Sequence, residues 1–137
     1  MKTRQSGFNL IELLIVIVIL ALLATIAMPS FQSFIRNTRL ANVRSELAEN
    51  AKNLERYYTQ KGTFVGFNAN SLVQNQYFDI SFDPEAEAPN PSDAGFTLRA
   101  TPNANNPNET CNIYMNDSNI FWASSSECPG YEEPHAN

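Results

Sequence analysis

The run GFNLIELLIVIVILALLATIAMPS, Gly7 to Ser30, decides the fold. Leu13 to Ala24 is twelve apolar residues without a break, and from Phe8 to Met28 only Asn9, Glu12 and Thr25 interrupt it. As a helix rising about 1.5 Å per residue, those positions span roughly 30 Å, the thickness of a bilayer's hydrocarbon core. A secretory signal peptide, a plain membrane anchor and an anchor that also assembles with others all fit that length. Lys2 and Arg4 supply the basic start of a signal peptide, and Thr25-Ile26-Ala27 can pass for its cleavage site. Glu12 tells against it, because the apolar core of a signal peptide carries no charge. An acid at mid-membrane costs about 2.5–3.5 kcal/mol, so its presence calls for a function. Lys2 and Arg4, with no acid before Glu12, place the N-terminus in the cytoplasm and the remainder across the membrane.

Working outward, Leu40, Val43, Leu47, Ala51, Leu54 and Tyr58 recur at steps of three and four, the core-facing stripe of an amphipathic helix. Arg44, Glu46, Glu49, Lys52, Glu55 and Arg56 form its solvated face. Lys61-Gly62 closes it, a basic last turn followed by a residue that accepts a left-handed cap. From Phe8 to about Gln60 the chain therefore reads as one helix about 80 Å long, with a kink at Pro29. A domain of 137 residues cannot bury that length. Lipid or other chains must cover its N-terminal half.

Beyond Gly62 the period changes. Thr63 to Gln76 is irregular, and then Phe78, Ile80 and Phe82 alternate with Asp79, Ser81 and Asp83 as in a strand. PEAEAPNPSDAG and PNANNPNE read as loops. GFTLRAT, CNIYM and NIFWASS read as three further strands, the last two a hairpin through NDSN. Four short antiparallel strands laid on the helical stripe make an α+β layer with a single helix. Cys111 and Cys128 lie on the exported side, where an even cysteine count reads as one disulfide. Closing that loop restrains the unfolded chain by about 3 kcal/mol. Two unpaired buried thiols are the alternative that composition leaves open.

Gly7-Phe8-Asn9-Leu10-Ile11-Glu12-Leu13 resembles the processing signal of type IV pilin precursors: a short basic leader, a Gly, a Phe, and a Glu at the fifth place of the mature chain. The resemblance implies cleavage between Gly7 and Phe8 by a prepilin peptidase and N-methylation of Phe8. It implies residues 1–7 as a leader, 8–29 as a transmembrane and filament-core helix, and 30–137 as a head with its sheet on the helix and a C-terminal disulfide. The stretch NVRSELAENAKNLERYYTQKGTF further resembles minor pilins of the PilV and PilE kind. Asn9 stands where the family usually has Thr, and Ala21 where it commonly has Gly. Ala favours helix by about 1 kcal/mol over Gly, so Ala21–Met28 should resist the unwinding seen in assembled pili. In a filament core, an ionised Glu12 needs a cation, and the amine freed at a neighbour's Phe8 is the one the resemblance supplies. A mismatched axial step would leave a buried charge alone at about 3–5 kcal/mol, so the pair sets register. The bland alternative makes Glu12 only a mark for the peptidase.

The partners so implied are other pilin subunits, the peptidase and assembly machinery, the bacterial inner membrane before assembly, and a host or neighbouring cell surface afterwards. The expected role is a minor pilus subunit, first a single-pass precursor and then part of an extracellular fimbrium, serving adhesion, aggregation or pilus dynamics. A pseudopilin of type II secretion and a monomeric membrane-anchored binding module are the alternatives. Nucleic acid is not expected as a partner. Gly62 to Asn137 holds ten acids and a single cation, Arg99, and phosphate binding needs cations. Asp83-Pro84-Glu85-Ala86-Glu87 lacks the spacing and turn glycine of a calcium loop and reads as solvated acid. Asn108-Glu109-Thr110 and Asn116-Asp117-Ser118 match the glycosylation triplet and read as turns. His135 reads as a tail residue. No nucleophile elbow, phosphate loop or ligand cluster is present, so neither an enzyme nor a cofactor or metal site is expected.

Overall fold

The computed structural model describes residues 7–131. Lys2 and Arg4 of the expected leader, and Glu132, Glu133 and His135 at the other end, lie outside them. The chain divides into two compact units, one ending at Arg36 and the other beginning at Asn37.

Helix α1, Leu10–Lys61, is 52 residues long and contains Pro29. Proline has no amide proton, so the Thr25 carbonyl loses its helical donor. Around that gap the Thr25 hydroxyl donates to the Leu22 carbonyl at 2.6 Å and the Ser30 hydroxyl to that of Ile26 at 3.3 Å. Both are the local back-bonding by which Ser and Thr sit inside helices. Lys61-Gly62 ends α1 as its sequence predicts: Gly62 has φ +72° and its amide reaches the Tyr58 carbonyl at 2.7 Å. In the first unit every apolar side chain from Leu10 to Met28 is exposed. By length and composition this helix is able to cross a membrane.

In the second unit Leu40, Val43, Leu47, Ala51 and Leu54 are buried, as the stripe requires. Tyr58 is not. It is 42% exposed and stacks on Phe64 at 4.7 Å, and Phe64 takes the core position instead. The strands are β1 Phe78–Phe82, β2 Thr97–Pro102, β3 Ile113–Asn116 and β4 Phe121–Ala123, paired antiparallel in that order. β2 and β3 each start two residues later and end one later than GFTLRAT and CNIYM, and β4 is four residues shorter than NIFWASS, because Gly95, Cys111 and Asn119 serve turns and the disulfide. Ile80, Ala100, Ile113 and Ala123 line up across all four strands and are buried. That row packs with the helical stripe into one core.

Cys111 and Cys128 are bonded, with Cα atoms 5.9 Å apart and both residues buried, which removes the unpaired-thiol alternative. NDSN makes the β3–β4 turn. The Asn116 side-chain oxygen accepts from the Ser118 and Ile120 amides at 3.0 and 3.1 Å, and Asn119 adopts φ 61°. Asn is among the few residues that take that left-handed backbone readily.

Candidate functional site

The predicted processing and assembly residues share the first unit. Gly7, Phe8 and Asn9 precede α1 without regular structure, and Phe8 is 73% exposed. The Gly7–Phe8 peptide bond therefore lies in exposed chain outside the helix. The helix begins when the Leu13 amide reaches the Asn9 carbonyl at 3.0 Å. Glu12 lies in its first turn, where the exposed amide ends of a helix favour negative charge. It is the only charged residue between Leu10 and Ile35. One acid on a long, uncovered apolar rod can choose position among neighbouring rods, since greasy side chains alone fix no axial step.

The second unit ties its surface down by charge. Arg99, the cation of the acidic strands, lies 3.5 Å from the Asp83 carboxylate and 3.7 Å from that of Glu85. Asp83 is 8% exposed, so the loop expected to be fully solvated is anchored at one end through this partly buried pair. Asn90 stitches the same loop to β2: its amide donates to the carbonyls of Asp83 and Thr97 and accepts from the Thr97 amide. Among the described residues no group of three acids, cysteines or histidines is placed to hold a metal. On the outer face of the sheet Ser81, Arg99, Tyr114 and Trp122 form one cross-strand row. The Tyr114 and Trp122 rings stack at 5.5 Å, 6° from parallel.

Sequence reasoning missed several residues that position these surfaces. Asn50 is fully buried within the apolar stripe, and its amide exchanges two hydrogen bonds with the backbone of Val73, at 2.9 and 2.6 Å. A polar residue at a stripe position is the signal that could have found it. Arg39 lies 3.9 Å over the Tyr77 ring and donates to Asn106 at 3.2 Å. Arg44 is 5.2 Å from both the Phe121 and the Tyr131 rings. Burial pushes the Tyr131 hydroxyl's pKa up, and the Arg44 charge opposes that in part. No local period marks such partners, which meet only after folding.

Two family models match the chain. Residues 2–28 match the prokaryotic N-terminal methylation motif. Residues 29–115 match the family described as type IV minor pilin ComP, DNA uptake sequence receptor. Among solved structures, the non-core minor pilin PilV of Neisseria meningitidis is 41% identical, covering 71% of this chain and 96% of its own, with a TM-score of 0.63. A type IV pilin from Shewanella oneidensis shares the fold at 22% identity, covering 70% of this chain and 99% of its own, with a TM-score of 0.51. No curated protein matches the chain.

Proposed function

Since this chain belongs to the type IV minor pilin family, we propose that it is made as an inner-membrane precursor with its N-terminus in the cytoplasm, and is cut between Gly7 and Phe8. The mature chain then polymerises without covalent links through Phe8–Met28, and its acidic, disulfide-closed head contributes to adhesion, aggregation or filament dynamics. The observation that carries this reading is a helix whose whole apolar stretch is exposed and whose one early charge is Glu12. Transfer from lipid into a bundle of sister helices keeps that apolar surface dry. Glu12 finds its counter-charge there in the amine released at a neighbour's Phe8. The pilin family and fold are structural rather than enzymatic.

The test is Glu12→Ala. The variant is expected to be cleaved as the wild type is, yet to be lost from sheared filaments. Wild-type incorporation of the cleaved variant would remove the register role.

One expectation is not supported. The acidity of the residues after Gly62 argues against nucleic acid, whereas the matched family is described as a DNA uptake sequence receptor. The same unit also carries exposed cations on α1, Lys52, Arg56 and Lys61. They give a DNA role a physical footing that Arg99, committed to Asp83, does not. Duplex binding that weakens linearly with the logarithm of salt concentration would carry this second reading.

A further inference from the structure

Asn53, Arg56, Tyr57 and Gln60 face Phe67 and Ser71 across a cleft of about 290 Å³. Steps of three and four put the four helical residues on one face of α1. The aromatic wall is fixed in place. Tyr57 and Phe67 meet edge-on at 5.5 Å and 87°, and the Tyr57 hydroxyl donates to the Val65 carbonyl at 3.0 Å. Phe67 in turn lies edge-on to Phe82 at 6.2 Å. Gly66 permits the closure: its φ is +89°, and a Cβ there would come within 2.9 Å of the Tyr57 hydroxyl.

The helical wall is chemically open by contrast. Asn53, Arg56 and Gln60 have no hydrogen-bond or ion-pair partner among the described residues, whereas Asn50, Asn75, Asn90 and Asn103 are all engaged. The six lining residues include one cation and no acid, in a chain of net charge −5. Amides both donate and accept, as sugar hydroxyls require. A guanidinium pairs a carboxylate through two parallel bonds. Ring faces suit the C–H side of a pyranose, and the volume is at the small end of ligand pockets.

We propose that this cleft binds an acidic monosaccharide unit, a hexuronate, with its carboxylate on Arg56, its hydroxyls on Asn53 and Gln60, and its ring against Tyr57 and Phe67. The inference deepens the adhesion reading and rests on it, since only a displayed head meets surface saccharides. Binding is nevertheless measured on the isolated chain, so its failure would leave the filament reading intact.

The experiment is saturation-transfer NMR on the full-length chain in micelles of a sugar-free detergent, with D-glucuronate, D-glucose and a short DNA duplex as probes. Glucuronate is expected to bind about tenfold more tightly than glucose. Arg56→Gln is expected to erase that preference, and Asn53→Ala with Gln60→Ala to weaken both sugars, with the circular dichroism spectrum unchanged in each variant. No saturation of either sugar, equal binding of the two by the wild type, or a preference that survives Arg56→Gln would overturn the proposal. So would duplex binding that is lost in Arg56→Gln while glucuronate stays silent, which would hand the cleft to nucleic acid.

Discussion

Asn50 holds both polar groups of the Val73 backbone with one side chain, in a position with no exposure to solvent. Replacing it by Ala leaves the amide and carbonyl of the half-buried Val73 without that partner, and a buried orphan costs about 1–3 kcal/mol. Asn50→Ala should therefore lower the head's stability by about 1–3 kcal/mol in urea unfolding. Asn53→Ala, three residues on and unpartnered, should change little. Tyr131 gives a pH signature at the same scale. Its hydroxyl is buried without a partner among the described residues, and burial raises its pKa above the ordinary 10.0. The unfolded chain then loses the proton first as pH rises, so the contribution is fully present below the ordinary tyrosine range. It is lost as pH climbs through the folded value. Tyr131→Phe should match the wild type at neutral pH and fall away less steeply in alkaline melts. Identical slopes would mean that the hydroxyl is not shielded.

At the scale of elements, the prediction concerns α1 beyond the middle of its apolar stretch. Ala21–Met28 is helical and exposed in the chain alone. Ala21→Gly removes about 1 kcal/mol of helix preference. Amide exchange across Ala21–Met28 should then quicken roughly fivefold in filaments. Unchanged exchange would show that neighbours, not propensity, hold the segment. The elements themselves were legible in the sequence because each repeats a short period: steps of three and four from Leu40 to Leu54, alternation from Phe78 to Phe82, and a glycine at position 62. The loops between them were not. Thr63 to Gln76 has no period to read, and its fold depends on Asn50, Tyr57 and Gly66, residues whose roles exist only once helix and loop meet. Tyr58 shows the same limit. Its spacing assigns it to the core, but Phe64 from the following loop fills that place and leaves Tyr58 as the outer ring of a stack.

At the scale of the whole chain, the N-terminal methylation motif could be read without any structure, because its residues are contiguous in the sequence. The cleft could not, since it joins residues 53–60 to 67–71 through tertiary packing. Acidity was legible too, yet totals mislead about binding. Arg99 is consumed by Asp83 and Glu85, while Arg56 remains open in the cleft. The exposed apolar helix and the disulfide-closed head are the grounds on which assembly is proposed for one unit and recognition for the other. The proposed assembly depends on removal of residues 1–7, which would expose the Phe8 amine as the counter-charge proposed for Glu12. The most direct measurement is the mass of the N-terminal peptide recovered from sheared surface filaments. A chain that begins at Phe8 and carries one N-methyl group is the predicted result. A chain confined to the membrane fraction with Met1 still in place would contradict the account.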